Sequence, residues 1–107
     1  MRFALEVMGF VRTLPYGTEG QVLGKQLIRS ATSVAANYRA AGRARSKAEF
    51  FAKLCIVVEE SDETLFWLEM IQESKLGNNP ELIKEASELL YIFSASRKTT
   101  RENLKIK

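Results

Sequence analysis

The segment Gly42-Arg43-Ala44-Arg45-Ser46 constrains this chain more than any other five residues in it. Before it, Leu23, Leu27, Val34, Tyr38 and Ala41 recur at helical spacing; after it, Phe50, Leu54, Val57, Ser61, Leu65, Leu68 and Ile71 do the same. Ser46-Lys47-Ala48-Glu49 has the form of a capping box, with the Ser46 hydroxyl accepting from the Glu49 amide and the Glu49 carboxylate reaching back to the Ser46 amide. One long helix therefore ends and another begins within a few residues. So short a connection between long helices forces them to lie antiparallel.

The remaining punctuation predicts two further helices. Phe3, Val7, Phe10, Val11 and Leu14 form an apolar stripe that Pro15-Tyr16-Gly17 breaks, and Thr18, with Gln21 three residues on, is the expected N-cap of the second helix. The third helix is expected to stop at Leu76-Gly77, with Gly77 supplying a left-handed C-terminal cap. Asn79 as N-cap and Pro80 at the first helical position start the fourth, which presents Leu82, Ile83, Ala86, Leu89, Leu90, Phe93 and Leu104. The predicted helices are about 2–14, 18–44, 46–76 and 80–104, and no alternating run competes as a strand. The expected fold is all-α: an up-down antiparallel four-helix bundle, one domain over residues 1–107.

Composition excludes most chemistry. The chain has no His and one Cys, so a zinc site, a Ser-His or Cys-His nucleophile and a Glu-x-x-His di-iron motif are all ruled out. It also has no Gly-rich phosphate loop. No cofactor and no metal are expected, and an enzyme would have to work with carboxylates and lysines alone. The lone Cys55 has no partner in the chain, which points to a reducing, cytoplasmic setting. Glu6 and Arg12 interrupt the apolar N-terminal stretch, so it reads as structure rather than as a signal, and no run approaches the ~18 apolar residues of a membrane span.

Three groups of residues stand out against this background. The first follows from the fold-back near Arg45 and Ser46, which brings Arg29 and Ser33 level with Glu60 and Glu63. These residues, with Asn37, are expected to form a buried polar layer. It reads either as an acid-base or ligand site or as an ion pair that fixes helix register, and the register reading is favoured. Secondly, the small-residue run Ser30 to Ala36 and a surplus of apolar residues on helix three exceed what one chain can cover. Self-association is expected, with Phe51, Phe66 and Trp67 at the interface.

The third group is cationic. Arg39, Arg43 and Lys47 recur every four residues, with Arg45 nearby, and form a basic ridge if the helix continues. The ridge reads as a nucleic-acid contact or as cations complementing a helix C-terminus. Charge is uneven along the chain, since Lys25 to Lys53 is basic and Glu59 to Glu73 is acidic without a cation. The basic tail from Arg97 onward reads as a solvated end.

The pattern Gln26-Leu27-x-Arg29-Ser30-x-x-Ser33-x-x-x-Asn37, then Ser46-Lys47-x-x-Phe50, then Glu60-x-x-Glu63-x-x-x-Trp67-Leu68 resembles a bacterial four-helix-bundle family. That family was first noticed as reading frames within intervening sequences of 23S ribosomal RNA genes. The resemblance implies a bundle that assembles into a homopentameric ring. It is similar to the accessory protein of diversity-generating retroelements, which binds nucleic acid and a reverse transcriptase through a basic surface. It implies no catalysis. Many members carry an acidic residue just after the Asn, where this chain has Arg39-Ala40-Ala41, so this surface is expected to be more basic.

Three functions remain at this level, in order of preference: a ring-forming scaffold that contacts RNA or DNA, a protein-interaction adaptor with no nucleic-acid role, and a carboxylate enzyme using Glu60 and Glu63.

Overall fold

The structure is a computed structural model that describes residues 1–105. Four helices follow one another: α1 (Arg2–Val11), α2 (Thr18–Gly42), α3 (Lys47–Glu73) and α4 (Pro80–Lys105). They form an up-down bundle in which α2 packs along α3 and α3 along α4, while α1 lies against α2 and touches α4. The rod measures 52 × 20 × 20 Å.

Local chemistry sets the boundaries. Ser46 caps α3, its side chain accepting from the Glu49 amide at 3.1 Å. The Glu49 carboxylate does not reach back to Ser46; it lies 3.6 Å from Arg45, one helical turn away. Asn79 caps α4 by accepting from the Leu82 amide at 3.1 Å, which leaves Pro80, with no amide hydrogen, at the first helical position.

Two expected caps are corrected. Gly17, not Thr18, is the N-cap of α2, and no side chain caps it. At the end of α3 the left-handed residue is Lys75, with φ 64°, rather than Gly77. The Leu76 amide donates to the Ile71 carbonyl at 3.2 Å and the Lys75 amide to Gln72 at 3.0 Å, the bonding of a Schellman motif. Gly77 instead packs closely against α1 and the residues after it, since a Cβ there would sit 2.7 Å from Leu14 Cδ2 and 3.3 Å from the Phe10 ring, so that the Leu14 side chain would have to shift. Helix α1 also stops at Val11 rather than Leu14, its last residues tightening into i→i+3 bonds from Thr13 to Phe10 and from Leu14 to Val11.

The core divides in two. One cluster draws on all four helices: Val7, Phe10, Leu27, Ala31, Leu68, Ile71, Leu82 and Ala86. The other, Val34, Leu54, Val57, Val58 and Phe93, has contributions from α2, α3 and α4 only, because α1 is too short to reach it. Between them lies a layer of buried hydroxyls, Ser30, Ser61 and Thr64. The Thr64 hydroxyl donates to the Glu60 carbonyl at 2.7 Å and lies 3.0 Å from the Ser30 hydroxyl, which joins α2 to α3 across the core.

Candidate nucleic-acid interface

The expected polar layer is present at the predicted level but not in the predicted place. Arg29 Nη1 donates to Glu60 at 3.1 Å, Nη2 donates to Glu63, and Nε donates to Gln26 at 3.0 Å. Trp67 Nε1 donates to the same Glu63 carboxylate at 3.2 Å, and Asn37 donates to the Ser33 carbonyl and hydroxyl at 2.9 and 3.1 Å. The Arg29 side chain is 46% exposed and that of Glu63 37%, so Arg29, Glu60, Glu63, Ser33 and Asn37 line the edge of the bundle rather than a buried layer. The reason is reach: a long guanidinium stem lies along the helix pair and keeps its charged head in water. The short hydroxyls of Ser30, Ser61 and Thr64 occupy the interior at that level instead.

This cluster links α2 to α3. All three guanidinium nitrogens of Arg29 and both carboxylates are engaged within the chain, the carboxylates 31 and 34 positions away in sequence and Gln26 three. Among the described residues no group of three or more acidic or Cys side chains could hold a metal ion.

The basic ridge is corrected as well. Helix α2 ends at Gly42, so Arg39 lies on α2, Arg43 is its C-cap, Arg45 is in the turn and Lys47 begins α3. They form a cluster around one end of the rod rather than a row along one helix. That end gathers more charge than either segment holds alone, because α4 runs antiparallel to α3 and returns its C-terminus there. Arg101 sits 5.8 Å over the ring of Phe51, which fixes this juxtaposition.

The assembled end carries Arg39, Arg43, Arg45, Lys47, Lys53, Arg97, Lys98, Arg101 and Lys105 against only Glu49 and Glu102. The rest of the described chain carries Arg2, Arg12, Lys25, Arg29, Lys75 and Lys84 against the other eleven of the thirteen carboxylates. A rod some 50 Å long is therefore basic at one end and acidic over the remainder. The α4 contribution was readable from the up-down topology itself, since two antiparallel helices of similar length bring 97–105 level with 47–55.

The expected interface residues separate. Phe66 is half exposed and packs edge-on against Trp67 at 4.9 Å. Trp67 and Phe51 are half-buried by contacts within the chain, Trp67 against the four-helix cluster and Phe51 beneath Arg101. Leu5, Tyr91 and Ile92, absent from the expected set, are exposed. No helix of the described residues is long and apolar enough to cross a membrane.

Fold and surface together define an up-down four-helix-bundle protein whose polar cluster ties two helices together and whose cations gather at one pole. The 23S rRNA-intervening sequence protein family model matches residues 1–96, and the chain belongs to that family. Among solved structures, a protein of unknown function from the S23 ribosomal protein family of Bacteroides thetaiotaomicron has the same fold. It matches with a TM-score of 0.80 at 28% identity over 91% of this chain and 93% of that one. No curated protein matches.

Proposed function

We propose that the protein is a non-catalytic, self-associating scaffold, a homo-oligomeric ring with five copies favoured, that contacts nucleic acid through its basic pole in a reducing, cytoplasmic setting. The observation that carries the reading is the convergence of two basic segments more than forty residues apart in sequence on one end of the rod. Cations that served only their own helix ends would need no such meeting point. A polyanion gains from it because each phosphate contact releases condensed counterions.

Self-association is supported by the exposed apolar side chains Phe66, Met70 and Ile92, and the ring by the family resemblance. In a ring the pole is repeated in every copy, so that weak contacts on one strand add up.

The test is a salt titration of RNA and DNA fragment binding. Binding at low ionic strength that weakens by roughly 100-fold between about 50 and 200 mM salt is expected for about five phosphate contacts. Arg39→Glu with Arg43→Glu should abolish most of it. No binding at low salt would overturn the nucleic-acid reading; capture of a protein partner that survives nuclease would replace it with an adaptor. Light scattering tests the ring, with a monomer mass as the contradicting result.

A further inference from the structure

Tyr38 is the aromatic side chain at the basic pole that remains open. It is 55% exposed, yet it is held in place: its ring packs against Phe93 at 5.3 Å with a tilt of 43°. Phe93 itself belongs to the three-helix cluster, so the platform is anchored on the core. Helix α1 would otherwise cover this position, but it reaches only as far as Met1, and Tyr38 lines the grooves on both sides of that point.

The larger groove, about 880 Å³, runs beside Tyr38 between α1 and α2, with Ala35, Ala36 and Ala40 of α2 on one side and Met1, Leu5 and Met8 on the other. Arg39, Arg43 and Lys53 stand on its rim. Among the described residues none of these three has a carboxylate within salt-bridge distance, and the one acid on the rim, Glu49, lies beside Arg45.

We infer that this groove is a binding site for single-stranded polynucleotide, with an unpaired base stacked on the outer face of Tyr38 and the neighbouring phosphates on Arg39, Arg43 and Lys53. A duplex hides the faces of its bases and offers phosphates alone, so it has no use for the platform; a single strand offers both. Arg39 and Arg43 are one turn apart, about 6 Å along the helix, which suits successive phosphates of an extended strand. The proposal rests on the nucleic-acid reading above and adds to it a strand preference and a contact independent of charge.

The experiment measures binding of fluorescein-labelled oligouridylate, oligothymidylate and a blunt duplex of equal length to the full chain and to Tyr38→Ala, Tyr38→Leu and Tyr38→Phe. Loss of one stacked base should weaken single-strand binding by about 5- to 100-fold in Tyr38→Ala. Duplex binding should stay within about twofold and the salt dependence of single-strand binding should be unchanged, because no phosphate contact is lost. Tyr38→Leu keeps an apolar contact to Phe93 but lacks a π face, so it should match Tyr38→Ala even if the smaller side chain disturbs packing. Tyr38→Phe should bind like the parent.

Equal losses with both single-stranded probes place the Tyr38 contact on the base, as the proposal requires. If Tyr38→Ala and Tyr38→Leu bind single strands like the parent while Arg39→Glu with Arg43→Glu does not, the stacking site is overturned and the nucleic-acid reading stands. If no polynucleotide binds, both fall. A change in oligomer mass on Tyr38→Leu also overturns the site and makes this face a contact between copies.

Discussion

The two ends of the rod are built from the same helices to different effect. At the end where α1 packs, four helices share one cluster and backbones approach closely: a Cβ at Gly24 would lie 2.8 Å from Val11 Cγ1, and one at Gly20 2.7 Å from the Pro15 carbonyl oxygen. At the other end three helices share a smaller cluster, an aromatic ring stays half exposed, and nine cations face two carboxylates. Packing is concentrated where α1 is present, and surface chemistry beyond its reach. The hydroxyl layer of Ser30, Ser61 and Thr64 marks the boundary between them.

The contrast is open to attack by mutation, the largest effect coming first. Leu27→Ala, in the four-helix cluster and fully buried, should cost about 2–5 kcal/mol in denaturant unfolding. A value near zero would mean that the cluster is not the packed one. Gly24→Ala should follow at about 1–3 kcal/mol, because a β-branched neighbour has to move; helix propensity alone would make the change stabilising by about 1 kcal/mol, so the sign decides. Arg29→Ala should cost about 1 kcal/mol: the cluster is networked but half exposed, and solvent screens it. A loss of 3 kcal/mol or so would indicate a buried pair instead.

The smallest effects should come from open positions. Gly9→Ala has nothing within 4 Å of the new methyl and should stabilise the chain by about 0.5–1 kcal/mol. Arg43→Glu, at the basic pole, should change thermal stability by no more than about 0.5 kcal/mol while lowering polynucleotide affinity. An equal loss of stability would mean that this pole is structural too.

Much of this molecule was legible before any coordinates. The helix count, the up-down order and the caps at Ser46 and Asn79 follow from periodicity and capping chemistry, and the fold-back at Arg45 put Arg29 opposite Glu60 and Glu63 in the correct register. Depth was not legible, because a sequence gives the level of a residue on a helix but not whether a long side chain turns inward or runs out to water. The two uses of glycine, a left-handed backbone and a missing Cβ, also look alike in a sequence. That is why the sequence points to Gly77 for the left-handed cap that Lys75 provides. The basic pole is only half visible in the sequence because its two parts lie more than forty residues apart. Along the sequence Arg39 and Arg43 read as one ridge and Arg97 to Lys105 as a solvated tail, and only the antiparallel topology makes them meet.

The most direct test of two unlike ends is photochemical crosslinking of a bound single-stranded oligonucleotide to the parent protein at low salt, with the attachment sites mapped by peptide mass spectrometry. Crosslinks confined to residues 36–53 and 93–105, with Tyr38 among them, are the expected result. Crosslinks centred on the Glu59 to Glu73 stretch of α3 or on the α1–α2 connection would contradict it.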